Sequence, residues 1–275
     1  MFEKLKKWLL KETLTPEILP PVVVTIHGYG RRRKHEYDNF VLWGQKDGFE
    51  IIQFDMYDLF DETDCDWMHW VAKAKEVLDS YKQSDRDIYL VGFSMGGVIA
   101  SYLANVTPVK KLILLAPAFQ YMNMDMITDV IVKSATSFMT NEKKDEVPIP
   151  RAFYGAFTDL IKNLKKYISS VECPVLLLHG DQDEVISPKS SLYAYDKIPH
   201  TRKKLVYLHG GHHRLFMDET VNWECYQIMK LFMEDKILSE DEIPLAPDIM
   251  EELLLKYKSL HQSDTNHEET KKEIV

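Results

Sequence analysis

Six short apolar segments recur along the 275-residue chain and constrain its fold more than any other feature. They are rich in Val, Ile and Leu and lie at residues 22–26, 50–54, 88–91, 112–115, 175–178 and 205–208. Their apolar residues are continuous rather than alternating, a pattern typical of parallel strands covered by helices on both faces. Helices are predicted between them, at residues 67–81, 95–105, 157–169, 190–196 and 219–234. Because strands and helices alternate, we predict an α/β fold with a mostly parallel sheet of about six strands flanked by helices.

The composition, 45% hydrophobic and 28% charged, is that of a globular protein, and the length suits one large domain. We assign residues 1–260 to this domain. Residues 119–155, after the fourth predicted strand, are too many for an ordinary connection and are predicted to form a small helical cap that controls acyl preference. An appended helix is expected at about 247–260, and the polar residues 261–275 are expected to be disordered.

Charge and apolar patterning exclude several classes of protein. A formal net charge of −9 argues against a nucleic-acid partner, because such binding depends on neutralising phosphates. The longest apolar run, residues 112–119, is too short to cross a membrane, and the amino terminus lacks the apolar core of a signal peptide. We therefore expect a cytoplasmic protein without stable membrane insertion. Residues 1–12 are expected to pack on the domain, the alternative being an amphipathic helix at a membrane surface.

Residues 92–97, with the sequence Gly-Phe-Ser-Met-Gly-Gly, carry the strongest chemical signal. They directly follow a predicted strand and directly precede a predicted helix. In that setting a Gly-x-Ser-x-Gly turn presents the serine on a strained backbone, and the small residues around it relieve the clash between strand and helix. We predict that Ser94 is a nucleophile. The alternative is a glycine-rich turn with an incidental serine.

A serine nucleophile needs a base and a carboxylate that orients the base, and both kinds of side chain follow later predicted strands. Asp181 and Asp183 come after the fifth strand, and His212 and His213 come after the sixth. The carboxyl ends of parallel strands share one edge of the sheet, where such folds place their sites. The order Ser, Asp, His along the chain is the hydrolase order.

Residues 27–30, His-Gly-Tyr-Gly, close the first predicted strand. This turn can direct the backbone N–H of Tyr29, together with that of Met95, at a carbonyl oxygen that becomes an oxyanion. The basic run at residues 31–35 follows directly, either as a solvated loop or as an attraction for an anionic substrate.

Metal and redox sites are not predicted. The three cysteines are far apart and form no Cys-x-x-Cys pair, so neither a disulfide framework nor a cysteine zinc site is indicated. His209, His212 and His213 raise the alternative of a zinc site, but the side chains of adjacent residues point apart. We therefore expect neither a metal nor a cofactor.

Taken together, these motifs resemble those of α/β-hydrolases, closest to the bacterial carboxylesterases and monoacylglycerol-lipase-like members with a helical cap. The resemblance covers about residues 20–235. It implies that the orienting acid is Asp183, which follows the family's glycine by three residues, and that Asp181 caps the turn. It also favours His213 over His212 as the base. Only about twenty residues precede the first strand, so the antiparallel hairpin that usually opens this fold is expected to be missing.

The resulting hypothesis is a serine hydrolase that cleaves small-molecule carboxylic esters through an acyl-enzyme intermediate. Ser94, Asp183 and His213 form its catalytic triad, and Tyr29 and Met95 supply the oxyanion hole. An acyl thioesterase uses the same parts and is one alternative. A catalytically silent α/β-hydrolase that acts as a binding module is the other.

Overall fold

The computed structural model describes residues 20–82, 84, 86–120 and 151–237 of the chain. Its strands are β1 (Val22–Ile26), β2 (Glu50–Ile52), β3 (Ile88–Phe93), β4 (Lys111–Leu115), β5 (Val175–Gly180) and β6 (Lys203–Leu208). Its α-helices are α1 (Asp38–Lys46), α2 (Trp67–Tyr81), α3 (Met95–Val106), α4 (Arg151–Leu164), α5 (Lys189–Lys197) and α6 (Asn222–Met233). Two 3₁₀ helices, Arg33–Tyr37 and Lys165–Ser170, accompany them. None of the helices in these ranges is long and apolar enough to cross a membrane.

The six strands form one sheet in the order β2-β1-β3-β4-β5-β6, and each strand is parallel to its neighbours. From β1 the chain moves first to one side, to β2, and then to the other, to β3. The order therefore reverses between β1 and β3, which creates a crevice at the carboxyl ends of those two strands. The segments that follow β1 and β3 are the ones that carry Tyr29 and Ser94.

Two hydrophobic cores explain why the strands are continuously apolar. Successive side chains of a strand point to opposite faces, and helices cover both faces of this sheet. In β4, Leu112 and Leu114 pack into the core beneath α2, α3 and α4, whereas Ile113 and Leu115 pack into the core beneath α1 and α6. All four side chains are almost fully buried.

The α/β class, the parallel sheet and the number of strands are confirmed for the part of the chain described here. No strand precedes β1 within that part. Most of the predicted cap, the appended helix at 247–260 and the tail at 261–275 lie outside the described residues, as do residues 1–12. The last residues of the predicted cap segment, 151–155, belong to α4, whose Phe153 is fully buried against Trp70 of α2.

Some predicted boundaries are wrong. β2 ends at Ile52 rather than Phe54, whereas β3 and β5 continue by two residues into their glycine-containing ends. α4 begins at Arg151 rather than Phe157, because Phe153, Phe157 and Leu160 share one apolar face that packs on the core. α1 and the 3₁₀ helix before it were not predicted, and they fill the space between β1 and β2 with Tyr37 and Phe40.

Candidate active site

Ser94 lies at the sharp turn between β3 and α3, with a backbone φ of 53° and ψ of −118°. A positive φ is strained for a residue with a side chain and persists only where the surroundings enforce it. Here the amide of Ser94 donates to the carbonyl of Leu115, and the carbonyl of Ser94 accepts from Gly97 and Ala118. β4 and the segment after it therefore hold the serine in this conformation, with its side chain at the edge of the sheet.

Glycines allow this turn to be so tight. A Cβ atom at Gly92 would lie 2.4 Å from the carbonyl oxygen of Gly96, and one at Gly96 would lie 2.1 Å from that of Ile26. Both distances are far below van der Waals contact, and both involve backbone atoms that cannot move aside. The glycines therefore let the start of α3 pack directly on the ends of β1 and β3.

Ser94, His213 and Asp183 form a continuous chain of hydrogen bonds. The Ser94 Oγ lies 3.2 Å from Nε2 of His213, and Nδ1 of His213 lies 2.7 Å from Oδ2 of Asp183. The imidazole also packs against the ring of Phe93, with ring centroids 4.9 Å apart. With Asp183 accepting from Nδ1–H, the lone pair of Nε2 faces the serine hydroxyl, as a general base requires.

Asp183 is fully buried yet negatively charged. Its Oδ1 accepts hydrogen bonds from the backbone amides of Val185 and Ile186, both at 2.8 Å. Burial alone would raise the pKa of Asp183, but the charge of His213 and hydrogen bonds from His179 and His213 outweigh it and hold the pKa below its usual value. The carboxylate is therefore available to His213 throughout the neutral range.

Two buried side chains hold residues 27–30, the loop after β1. His27 accepts a hydrogen bond at Nε2 from the amide of Met56 (2.9 Å), so its Nδ1 carries the hydrogen that it donates to the carbonyl of Gly28 (2.8 Å). Burial lowers the pKa of His27 to about 4, which keeps the ring neutral. The hydroxyl of Tyr57 accepts from the amide of Gly30 and donates to its carbonyl, both at 2.8 Å.

This loop lies beside the serine. A Cβ atom at Gly28 would be 3.1 Å from Cβ of Ser94, which shows how closely the two turns approach. Within the described ranges, no group accepts a hydrogen bond from the backbone N–H of Tyr29 or of Met95. The two donors named by the sequence analysis therefore flank the serine without an internal partner.

The neighbouring acids and histidines pair differently. Nδ1 of His212 lies 3.1 Å from Glu184, and its side chain is 54% exposed. Asp181 pairs with the exposed His209 at 2.8 Å rather than with His213. The structure thus brings Ser94 together with Asp183 and His213, and separates it from Asp181 and His212.

Metal ligation finds no support in residues 20–82, 84, 86–120 and 151–237, because they contain no group of three or more His, Cys, Asp or Glu side chains arranged to hold an ion. In the basic run, Arg33 forms an ion pair with Asp55 at 3.4 Å.

A pocket opens beside Ser94 and His213, and its wall divides into two parts. Apolar and aromatic side chains form one part: Tyr29, Phe93, Phe157, Val185, Ile186 and Met217. Charged and polar side chains form the other: Glu36, Glu184, His212, Arg214 and Asp218. The lining therefore offers both apolar contact and polar groups to a bound molecule.

Sequence reasoning missed two residues that support this site. Tyr57 lies in an acidic stretch after β2 with no motif around it, and His179 occupies the end of the apolar strand β5. The signal available for His179 was a histidine one residue before the strand's terminal glycine, two residues before Asp181 and four before Asp183. No signal in the sequence points to Tyr57.

A family model and a known lipase are similar to parts of this chain. The family model of serine aminopeptidase, S33, matches residues 142–220, a segment that includes Asp183 and His213 but not Ser94. The thermostable monoacylglycerol lipase of Bacillus sp. (strain H-257) is 24% identical over 159 residues. That match spans 54% of this chain and 64% of the lipase.

Solved structures share the fold at lower identity. A soluble variant of monoglyceride lipase from Saccharomyces cerevisiae superposes with a TM-score of 0.62 at 19% identity, covering 80% of this chain and 88% of the lipase. A bromoperoxidase from Bacillus anthracis gives the same TM-score at 17% identity, covering 79% and 93%. Because these two proteins carry different names for their activities, the likeness concerns the fold and leaves the chemistry to be argued from the site.

Proposed function

We propose that this chain, which has the fold of the α/β-hydrolases, is a serine hydrolase that cleaves carboxylic esters through an acyl-enzyme intermediate. One observation carries the proposal: the unbroken contact chain from Ser94 Oγ through the imidazole of His213 to the buried carboxylate of Asp183. The strained backbone of Ser94 and the apolar wall of the pocket add support.

Each residue then has a distinct role in forming the acyl-enzyme. Ser94 Oγ attacks the acyl carbon while its proton passes to Nε2 of His213. Asp183 stabilises the imidazolium and holds the ring with Nδ1–H facing its carboxylate. The tetrahedral oxyanion accepts hydrogen bonds from the backbone N–H groups of Tyr29 and Met95. The imidazolium then protonates the alcohol oxygen as the ester bond breaks, and the alcohol leaves.

Deacylation repeats these steps with water. His213, now neutral, takes a proton from a water molecule that attacks the acyl carbon of the Ser94 ester. Collapse of the second tetrahedral intermediate returns the proton to Ser94 Oγ and releases the carboxylic acid. The cycle uses only side chains and backbone amides of this chain.

The substrate is an ester with an apolar acyl group. Phe93, Phe157 and Ile186 supply an apolar surface next to Ser94, which favours an acyl chain over a charged group. The monoacylglycerol lipase of Bacillus sp. and the monoglyceride lipase of yeast are named for substrates of this kind, which supports the same assignment.

A chain-length series of p-nitrophenyl esters, measured on the wild type and on Ser94→Ala, tests the proposal. We expect turnover by the wild type and a loss of at least about 10³-fold in kcat for a folded Ser94→Ala variant. Acyl-CoA substrates, assayed in parallel, test for a thioesterase. Rates on acyl-CoA far above those on the oxygen esters would contradict an ester substrate. Absence of turnover and of labelling by a fluorophosphonate would indicate a silent binding module.

A further inference from the structure

A second histidine contacts the carboxylate of Asp183. His179, in β5, is fully buried, and its Nε2 lies 3.0 Å from Oδ2 of Asp183 and 2.9 Å from the carbonyl oxygen of Ile186. Oδ2 of Asp183 is the same oxygen that accepts from Nδ1 of His213. The proposed catalytic acid is therefore shared between two imidazole rings.

The contacts fix which nitrogen of His179 carries the hydrogen. Both neighbours of Nε2 are acceptors, so Nε2 must be the protonated nitrogen. On the other side of the ring, Nδ1 lies 2.6 Å from Oγ of Ser191, in the first turn of α5. A hydroxyl can donate as well as accept, so the Ser191 hydroxyl is able to donate to an unprotonated Nδ1.

The same contacts fix the shape of the turn that carries the acid. Asp183 accepts from the backbone amides of Val185 and Ile186, while the carbonyl of Ile186 accepts from His179. The carboxylate is thus held at both oxygens: the turn binds Oδ1, and His179 of β5 contacts Oδ2. Val185 and Ile186 of this turn also line the pocket, so the titration of His213, rather than substrate binding, is the readout specific to the carboxylate.

We propose that His179 is a positioning residue for Asp183. Its Nε2–H, oriented by the hydroxyl of Ser191, holds the Asp183 carboxylate and weakens the attraction between that carboxylate and the proton of His213. The inference rests on the proposed roles of Asp183 and His213. A donor beside a carboxylate spreads its negative charge, so less of that charge acts on the neighbouring imidazole. Removing the donor makes Asp183 a stronger partner for the imidazolium form of His213.

Charged and titratable groups face this pair from several elements. Glu36, in the 3₁₀ helix before α1, interacts electrostatically with His213 and forms an ion pair with Arg214. His213 faces Asp183 from the loop that follows β6. His179 faces it from β5. Glu184 lies 3.4 Å from the backbone amide of His213 and pairs with His212. Ser191 is the polar side chain that α5 directs at His179. A change at His179 therefore acts on His213 through Asp183.

Titration of His213 by ¹⁵N-histidine NMR tests the inference without any substrate, with His213→Asn used to assign its resonances. Replacing the ring by an apolar side chain in His179→Leu is expected to raise the pKa of His213 by on the order of half a unit. His179→Gln can place an amide N–H where Nε2–H lies, so its His213 is expected to titrate close to the wild type. The acid limb of kcat/KM should shift in the same direction and order.

A matched control is His200→Leu, which removes another histidine, located before the amino end of β6, whereas Asp183 and His213 follow the carboxyl ends of β5 and β6. It should leave the titration of His213 unchanged. An unshifted His213 in folded His179→Leu, or the same shift in the Leu and Gln variants, would overturn the proposal.

The tautomer of His179 in the wild type gives an independent answer if His179→Leu does not fold. Two-bond ¹H–¹⁵N correlations should show a protonated Nε2 and an unprotonated Nδ1; the reverse pattern refutes the proposal. Failure of the esterase proposal is seen separately, as absence of ester turnover by the wild type.

Discussion

Removing the hydroxyl of Tyr57 measures how much one buried hydrogen-bonding group contributes to stability and to the proposed oxyanion hole. Tyr57 is fully buried and packs against the rings of His27, Trp70 and Phe153. Tyr57→Phe keeps this packing and removes only the group that pairs with both backbone atoms of Gly30. The effects of the substitution therefore report on the loop and not on the core.

The expected loss of stability follows from those two bonds. A buried donor left without a partner costs about 1–3 kcal/mol, and the bond to the carbonyl contributes about 1 kcal/mol. We expect Tyr57→Phe to lower the free energy of unfolding by about 2–4 kcal/mol, measured by urea denaturation.

The expected effect on catalysis comes from the position of Tyr29 in the same loop. Loss of one oxyanion donor costs about 10²–10³ in kcat, so a donor that is loosened but present should cost about 10–100-fold. The loss should fall on kcat with KM little changed, because the oxyanion forms only in the transition state. Initial rates on a p-nitrophenyl ester measure both constants.

Tyr37→Phe is the matched control. Tyr37 is also fully buried, and its hydroxyl donates to the carbonyl of Ile26 at 2.8 Å, within β1 and outside the loop. It should lose about 1 kcal/mol of stability and keep kcat within about threefold of the wild type. A folded Tyr57→Phe variant with wild-type kcat would refute the reasoning, as would equal losses of kcat in the two variants.

Three further predictions concern pH, a buried lysine and the choice of base. Burial lowers the pKa of His27 from 6.5 to about 4, so on acidification the unfolded state binds a proton that the folded state does not. The free energy of unfolding should therefore fall by about 3 kcal/mol between pH 6.5 and pH 4. Urea denaturation against pH checks this, and an equal slope in His27→Gln would contradict it. Lys111 is buried, and its Nζ donates to two carbonyls at the end of α6, so Lys111→Met should lose about 2–3 kcal/mol in the same assay with kcat unchanged. His213→Ala should lose at least about 10³-fold in kcat, and His212→Ala should lose less than about tenfold; the opposite result would move the base by one residue.

The sequence predicted most of the sheet because its strands are buried on both faces. A strand such as β4, with Leu112 to Leu115 divided between two cores, can be recognised from its own residues. The turn at Ser94 was also recognisable, since the strain of the serine demands small residues nearby, as the contacts at Gly92 and Gly96 show. Local physical requirements leave local patterns in the sequence.

Contacts between distant residues left no such pattern. The bond from Tyr57 to Gly30 joins residues 27 positions apart, and the contact of His179 with Ser191 depends on how α5 packs on β5. α1 escaped prediction because Asp38–Lys46 buries only Phe40 and Gly44, too few apolar positions for a helical period. These features follow from the assembled fold rather than from neighbouring residues.

Labelling with a fluorophosphonate, followed by peptide mass spectrometry, tests the central claim most directly, because it identifies the nucleophile by its covalent bond. The account predicts one adduct per chain, located on Ser94, absent in folded Ser94→Ala and formed far more slowly in His213→Ala. A stoichiometric adduct on another residue, or ester turnover that persists in Ser94→Ala, would contradict it.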